Sequence, residues 1–251
     1  MTVPYFSIIT VCFNSETTIR RTLDAMLAQS CQDYEYLVID GASTDNTIEI
    51  LKEYVPRFAG KMRYISEPDK GIYDAMDKGI TLAQGEIIGI INSDDYYLEH
   101  TLAKVKDCSL VQKADLYYGA IICKKKSIET IQRGHHCLLR KLPLEHPSSF
   151  IRKEAYEKFG LYDRNFRIAA DYELMLRFQK MGAIFCPINY ILAVFTLEGI
   201  SNRPSFTKAK EGMKIVKLYH LQSLPGYCFQ WFREIFNYLK RKFRYSFQHK
   251  K

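Results

Sequence analysis

Two adjacent aspartates, Asp94 and Asp95, follow a continuous apolar run from Ile87 to Ile91 almost directly. A run of this length is typical of a strand covered on both faces, as in a parallel sheet. In open α/β sheets, ligands bind in the crevice beyond the carboxyl ends of the strands. Neighbouring carboxylates repel each other, so this position favours a cation or a polar ligand. A solvated acidic turn is the alternative from this stretch alone.

Strand patterns and helix patterns alternate along the chain, which is typical of right-handed βαβ units and a parallel sheet. β-branched and aromatic runs bounded by turn residues predict the strands. The predicted strands are Phe6–Phe13, Tyr36–Ile39, Met62–Ser66, Ile87–Ile91, Leu116–Cys123, Gly182–Pro187 and Tyr190–Phe195, with a loop from Leu142 entering another near Arg152.

Apolar residues at helical spacing predict the intervening helices. Ser15 is expected to cap the first helix, and Ser43 or Thr44 the second, which Pro56 ends. A third helix starts at Gly71, with an inner face of Ile72, Met76, Ile80 and Ala83. The remaining predicted helices are Glu99–Val111, Lys153–Phe159, one with Asp171 at its N-terminal end, and Phe206–Leu221.

Composition is ordinary for a soluble globular protein of 251 residues, with 47% hydrophobic and 25% charged residues. No apolar run of the length that spans a membrane occurs, and residues 1–4 show no secretory signal pattern. The seven cysteines are scattered, odd in number and without a C-x-x-C pair. This usage indicates reduced thiols in a cytoplasmic protein, and argues against a zinc site or a disulfide framework.

The net charge of +8 is concentrated near the C-terminus. From Tyr227 onward there are seven basic residues and one acidic residue, which leaves a net charge of only about +2 for the rest of the chain. A nucleic-acid partner is therefore not predicted, because the basic charge belongs to a tail and not to a groove on the domain.

Several short motifs then point to one family. Val38–Asp45 resembles the V-x-D-x-x-S-x-D element of family 2 glycosyltransferases, and Glu67–Met76 resembles a branch found in bacterial polysaccharide assembly. Asn92–Asp95 is similar to the family's metal-binding D-x-D element, with Asn92 in place of its first acidic residue. The resemblance extends from Phe6 to Ser201, roughly four-fifths of the chain.

The resemblance implies a GT-A nucleotide-diphospho-sugar transferase fold of the α/β class, with a mixed, mainly parallel central sheet, flanking helices and C-terminal amphipathic helices. Residues 1–204 would form the catalytic domain, with a nucleotide-binding half over about 1–125 and an acceptor half over about 126–204. Residues 205–251 would form a basic, amphipathic helical tail.

The donor-side roles also come from the resemblance. Thr10 and Asp40 would face the base, Asp94 would lie near the ribose, and Asp95 would bind Mg²⁺ or Mn²⁺. An ion that bridges a carboxylate and the diphosphate would neutralise the charge that grows as the diphosphate departs. For Asp40, a turn or capping role is the alternative. The full nucleotide-sugar-binding set is Thr10, Cys12, Asp40, Glu67, Asp69, Asn92, Asp94 and His146.

The second half carries motifs that the resemblance assigns to the acceptor. His146–Phe150 is similar to the H-x-S-x-F element, and His146 would contact the diphosphate or the acceptor, or serve a structural role. Asp171, in the A-A-D motif, would be the general base for the acceptor hydroxyl. By itself, Asp171 would be interpreted as a helix cap. Ser201 and Arg203 would belong to a loop that closes over the diphosphate.

Beyond Pro225-Gly226, aromatic residues fall on one side of a predicted helix and cations on the other. This pattern favours contact with an anionic membrane surface; packing on the catalytic body or on a partner subunit is the alternative. We expect a cytoplasmic protein, peripheral at the inner face of the cytoplasmic membrane.

The sequence therefore predicts an inverting, metal-dependent glycosyltransferase. It would move a sugar from a nucleotide diphosphate, with uridine favoured, to a hydroxyl of a polysaccharide or lipid-linked oligosaccharide. A non-catalytic sugar-nucleotide or membrane-binding module is one alternative. A sugar nucleotidyltransferase is another, disfavoured because Cys12–Ser15 offers no glycine-rich phosphate loop.

Overall fold

The computed structural model describes residues 3–197 and 206–221 of the chain. These residues form one mixed sheet with helices on both faces. The strands are β1 Phe6–Cys12, β2 Tyr34–Asp40, β3 Met62–Ser66, β4 Ile87–Ile90, β5 Tyr96–Tyr97, β6 Leu116–Lys125, β7 Ile128–Gln132, β8 Ser149–Arg152 and β9 Phe185–Thr196. The helices are α1 Ile19–Leu27, α2 Thr47–Tyr54, α3 Ile72–Leu82, α4 Thr101–Val111, α5 Lys153–Phe159, α6 Ala170–Lys180 and α7 Phe206–Leu218.

Strand order in the sheet is β3-β2-β1-β4-β8-β6-β9-β5, with β7 paired to β6. The first four positions pair in parallel, as the alternation of strands and helices predicts. Cys12 lies opposite Asp40, and Asp40 lies opposite Ser66, so β1, β2 and β3 end at one edge of the sheet. This shared edge is where the predicted donor site begins.

The second half of the sheet is mixed because β8 runs antiparallel to both β4 and β6. Two predicted strands, Gly182–Pro187 and Tyr190–Phe195, are in fact one strand, β9. The pairing of β9 with β6 shifts register twice near Ala120. The strand therefore continues past the polar Asn189 as an irregular, bulge-like stretch. The prediction of two strands was therefore wrong.

The core has two layers because alternate residues of each buried strand face opposite sides of the sheet. Ile9 and Val11 of β1 pack with α3, α5 and α6, whereas Phe6 and Ile8 pack with α1, α2 and α4. Ile215 of α7 is completely buried in the first layer. The helix that the sequence assigns to a separate tail segment thus packs on the body over residues 206–221.

Helix starts differ from the sequence predictions in two places. Ser15 does not cap α1 with its side chain; its carbonyl accepts from Thr18 N, and its hydroxyl meets Ser93 Oγ at 2.8 Å. Asp45, and not Ser43 or Thr44, accepts the first N–H of α2, from Thr47 at 3.0 Å. These hydroxyls are used between elements, so local capping patterns mislead here.

Gly71 precedes α3 as predicted, but Ile72 is 43% exposed. The buried stripe runs through Tyr73, Met76 and Ile80, which leaves Ile72 outside the inner face. Among the described helices, none is long and apolar enough to cross a membrane.

The scattered cysteines are free thiols in the described part of the chain, as their usage predicts. The fold nevertheless brings two of them together, with Cys108 Sγ and Cys186 Sγ 3.3 Å apart. Burial and this contact raise the pKa of Cys186 to about 12. The raised pKa keeps Cys186 in the unreactive thiol form at neutral pH.

Candidate active site

Asp40, the last residue of β2, is completely buried and already hydrogen-bonded. Its carboxylate accepts from Ser43 N at 2.9 Å, from the Ser43 hydroxyl, and from Ser66 Oγ at 2.7 Å. The Cys12 thiol lies 3.5 Å from Oδ1. Asp40 therefore ties the ends of β1, β2 and β3 together, and accepting a base N–H would require the exchange of one of these contacts.

The two other predicted donor contacts of β1 are also enclosed. Thr10 is 0% exposed, and its hydroxyl lies 2.9 Å from Tyr36 OH. Burial, and secondarily the charge of Asp40, raises the pKa of the Cys12 thiol well above its ordinary range. Phe13, which follows β1 directly, is exposed, and residues 41–46 are exposed or partly exposed.

Glu67 and Asp69 lie on the exposed loop between β3 and α3. Glu67 pairs with Lys78 at 2.9 Å. Asp69 Oδ1 accepts from Gly71 N at 2.8 Å, and Oδ2 would lie 2.5 Å from a Cβ at position 41. Gly41 thus allows the Asp69 carboxylate to close over the end of β2, next to the buried Asp40.

The loop after β4 is held from two sides. Thr22 Oγ1 of α1 donates to the carbonyls of Ser93 (3.1 Å) and Asp95 (2.6 Å). Arg21 Nη2 donates to the carbonyl of Asp94 at 2.5 Å. Asp95 Oδ1 accepts from Thr196 N of β9 at 2.7 Å. These bonds fix the backbone while the carboxylate of Asp94 stays partly exposed.

Two buried acceptor atoms in this loop, Asn92 Oδ1 and Asp95 Oδ2, receive no hydrogen bond from the residues that the structure describes. Asp95 is 0% exposed, and burial together with the Asp94 charge raises its pKa well above the usual carboxyl range. Burial also raises the pKa of Asp94. Oxygen acceptors without donors, beside crowded carboxylates, fit a hard divalent cation, which supplies the positive charge that such a site lacks.

Asp171 lies in the first turn of α6 and is half-buried. It is not the N-cap, since Ala169 holds that position without a side-chain bond. Asp171 Oδ1 accepts from Tyr172 N at 2.8 Å and from Tyr73 OH at 3.3 Å. No described residue donates to Oδ2.

His146 belongs to the same region. Its Nε2 lies 2.8 Å from Tyr162 OH, and the Tyr162 ring packs 5.1 Å from that of Tyr73. Burial lowers the pKa of His146, while the charge of Asp171 opposes that change. His146 is therefore neutral near pH 7. Its hydrogen bond with Tyr162 is consistent with a structural role next to Asp171, the predicted base.

Glu145 is a further carboxyl that sequence reasoning missed. Burial raises its pKa to about 7, and the charge of Asp171 adds to the effect. The charges of Glu145 and Asp95 also contribute to the raised pKa of Cys123, after burial. The charge of Asp171 therefore acts on Glu145, and those of Glu145 and Asp95 act on Cys123. Glu145 directly precedes the His146–Phe150 motif, and this position was the sequence feature that could have identified it as a site residue.

The remaining predicted site residues, Ser201 and Arg203, lie outside the described residues. Arg21, Thr22 and Tyr73 were missed, although Tyr73 lies within the Glu67–Met76 motif. A separate group, His135, His136 and Cys137, has ligand atoms within 4.8 Å of one another. This group was not predicted from the sequence, because the prediction rested on the cysteines alone and they form no C-x-x-C pair.

Residues 7–179 match the family model described as glycosyl transferase family 2. The chain belongs to this family. A relative from Mycobacterium bovis, named a PGL/p-HBAD biosynthesis glycosyltransferase, is 30% identical over 211 residues, which cover 80% of this chain and 81% of the relative. The chain is thus a glycosyltransferase, as the motifs predict.

Solved glycosyltransferase structures share the fold. TarS of Staphylococcus aureus, in complex with UDP-GlcNAc, superposes with a TM-score of 0.71 at 18% identity, covering 85% of this chain and 65% of TarS residues 1–349. The mannosyltransferase PcManGT of Pyrobaculum calidifontis, in complex with GDP-Man and Mn²⁺, gives 0.67 at 20% identity, covering 89% of this chain and 66% of that one. Both likenesses support the predicted GT-A fold.

Proposed function

We propose that this glycosyltransferase transfers a sugar, with inversion, from a nucleotide-diphosphate donor to a hydroxyl of a polysaccharide or lipid-linked oligosaccharide. The observation that carries the proposal is Asp171, whose Oδ1 is held by Tyr73 and Tyr172 while no described residue bonds Oδ2. A half-buried carboxylate with one anchored and one available oxygen suits a general base.

In the proposed reaction, Asp171 Oδ2 takes the proton of the acceptor hydroxyl. The hydroxyl oxygen forms a bond to the anomeric carbon as the bond from that carbon to the diphosphate breaks, and the electron pair of that bond leaves with the diphosphate. A single displacement with one base inverts the anomeric centre. Tyr73 keeps the carboxylate in place during the proton transfer.

On the donor side, we infer a nucleotide at the ends of β1 and β2, with a uridine nucleotide favoured. Asp40 would accept a base N–H in exchange for its weakest contact, the thiol of Cys12 at 3.5 Å. Asp69 and Glu67, which lie over Gly41 and beside Lys78, would border the sugar or the ribose. TarS binds UDP-GlcNAc and PcManGT binds GDP-Man, which supports a nucleotide-sugar donor but not one base.

A divalent ion, Mg²⁺ or Mn²⁺, would neutralise the departing diphosphate when bound. The oxygens of Asn92 and Asp95 that accept no hydrogen bond from the described residues fit such an ion, and PcManGT was solved with Mn²⁺. Asp95 was predicted as the ligand from the sequence. Because Asp95 is buried and Asp94 is partly exposed, Asp94 is a second candidate ligand that solvent reaches without any rearrangement.

Calorimetric titration with UDP, GDP and dTDP, each with and without Mn²⁺, tests the donor and the metal together. We expect one nucleotide to bind in a metal-dependent way, and Asp95→Asn or Asp94→Asn to abolish that dependence. Asp107→Asn, an exposed carboxylate of α4, is the matched control. Lack of metal-dependent binding of all three nucleotides would refute the proposed donor site.

Transfer itself is measured as nucleoside diphosphate released from UDP-, GDP- and dTDP-sugars in the presence of alkyl glycosides. We expect Asp171→Asn to lower the rate by about 10²- to 10⁴-fold while nucleotide binding is retained. The configuration of the product, read by NMR, decides inversion. A product that keeps the donor configuration would contradict the single displacement.

The basic, aromatic segment beyond Pro225 lies outside the described residues, and membrane contact is proposed from its sequence alone. Acceptors carried on lipids would bring the enzyme to the inner face of the cytoplasmic membrane, where that segment would bind anionic headgroups. Co-sedimentation with phosphatidylglycerol vesicles, compared with phosphatidylcholine vesicles, tests this proposal. Equal binding to the two kinds of vesicle, or no binding to either, would contradict the proposal.

A further inference from the structure

A buried carboxylate of α7 binds the backbone just before the proposed base. Glu211 is 7% exposed, and its two oxygens accept from three consecutive N–H groups. The distances are 2.8 Å to Arg167 N, 2.9 Å to Ile168 N and 3.0 Å to Ala169 N. Hydrogen bonds from N–H groups to an ionised carboxylate are stronger than those between neutral groups.

These three N–H groups lead into α6, a helix with no side-chain cap of its own at Ala169. The N-terminus of a helix attracts negative charge because its first N–H groups are unpaired and the helix dipole is positive there. Glu211 therefore accepts, from α7, the N–H of the N-cap residue Ala169 and those of the two residues before it.

The same short segment is held from the opposite side by α3. Tyr73 OH lies 2.8 Å from Ile168 O and 3.3 Å from Asp171 Oδ1. Ile168 thus has its N–H fixed by Glu211 and its carbonyl fixed by Tyr73. Since Asp171 follows three residues later, the position of its carboxylate depends on both contacts.

Helix α7, which carries Glu211, contacts the body at several points. Ile215, one turn further along, is completely buried. Lys214 Nζ lies 4.3 Å from the centre of the Phe166 ring. Tyr219 OH, just beyond the helix, donates to Glu173 Oε1 of α6 at 2.6 Å. These contacts connect α7 to both sides of the segment 166–173.

We propose that Glu211 is a positioning residue for the transfer reaction: it holds residues 167–169 so that Asp171 faces the acceptor, and thereby makes α7 part of the catalytic unit. This inference rests on the proposed role of Asp171 as the base. It also assigns a function to a residue in the segment that sequence motifs left outside the catalytic domain.

Amide hydrogen exchange tests the contact without any substrate. In the full chain, Glu211→Ala should speed exchange at the amides of residues 167–169 by about tenfold or more, because each loses a charge-assisted bond. Glu211→Gln, which keeps one acceptor oxygen and the same length, should give a smaller change. Glu157→Ala, an exposed glutamate of α5, is the matched control. Unchanged exchange in Glu211→Ala, or in Glu211→Gln if the alanine variant does not fold, would overturn the proposal.

Kinetics with the donor sugar and alkyl glycoside of highest wild-type rate then test positioning. Misplacement of a reacting group by about 1 Å costs about 10²-fold, so Glu211→Ala should lower kcat by about that factor with unchanged nucleotide affinity. Glu211→Gln should partly restore kcat. In an Asp171→Asn background, Glu211→Ala should have no further effect on kcat.

The outcomes separate two kinds of failure. If Asp171→Asn keeps the wild-type kcat, the proposed base is wrong, and the positioning role falls with it. If Asp171→Asn is inactive but Glu211→Ala keeps full kcat, only the role of Glu211 is refuted. Parallel loss of kcat and nucleotide affinity would also refute it, because that result indicates general unfolding.

Discussion

Replacing Glu145 with Gln should make the stability of this glycosyltransferase less dependent on pH. Glu145 is half-buried next to His146, and burial with the charge of Asp171 raises its pKa from an ordinary 4.5 to about 7. The unfolded chain therefore loses this proton at lower pH than the folded protein does. Glu145 contributes stability below about pH 4.5, and this contribution is lost as the pH rises to about 7.

The size of the effect follows from the shift. Between about pH 5 and about pH 8, the raised pKa lowers the free energy of unfolding by at most about 2.5 kcal/mol. Solvent that reaches a half-buried carboxyl screens part of this, so about 1 to 2.5 kcal/mol is expected. Gln is neutral at both pH values and avoids the loss. The Gln variant should thus gain that amount over wild type at the higher pH.

Urea unfolding of wild type, Glu145→Gln and Glu157→Gln at the two pH values measures this difference. Glu157 is exposed on α5, so its variant should follow wild type. Asp171→Asn should reduce the effect, because the charge of Asp171 is the second cause of the shift. The reasoning is refuted if the difference between Glu145→Gln and wild type is the same at both pH values, or decreases as pH rises.

Three further predictions concern packing and reactivity. Gly41→Ala would place a Cβ 2.5 Å from Asp69 Oδ2, and should weaken UDP binding about tenfold by calorimetry with little change in Tm; unchanged affinity would separate this loop from the donor site. Ile215→Ala should lower the free energy of unfolding by about 2–5 kcal/mol, since the side chain is completely buried, and urea unfolding that shows less than about 1 kcal/mol would mean that α7 does not stabilise the body. Exposed Cys137 should react with iodoacetamide well before buried Cys186, whose pKa is raised to about 12, as followed by peptide mass mapping; equal rates would contradict the burial of Cys186.

The parts of the fold that are local in sequence were predictable. Met62–Ser66 and Lys153–Phe159 have the bounds that apolar spacing and turn residues predict. Parallel pairing of the first strands follows from their alternation with helices. Asp40 at the end of β2 and Asp171 in the first turn of α6 lie where their motifs place them in the predicted elements. In all these cases, residues close together in the sequence determine the structure that was predicted.

What the sequence could not reveal depends on contacts between distant segments. The hydroxyl of Ser15 bonds Ser93 and not its own helix, and the carboxylate of Glu211 bonds a loop more than forty residues earlier. Register shifts beside β6 join two predicted strands into β9. Whether Asp95 or Asp94 faces solvent depends on how α1 and β9 close around the loop, and no local pattern contains that information.

The packing of α7 against the rest of the protein also limits how chimeras of this enzyme and its relatives can be designed. The matched family region ends at residue 179, whereas Ile215 and Tyr219 contact the core and α6 from beyond that limit. A chimera that exchanges only the family region would pair α6 of one parent with α7 of another. A chimera made to transfer specificity between relatives should therefore have its junction beyond residue 221, so that α6 and α7 come from the same parent.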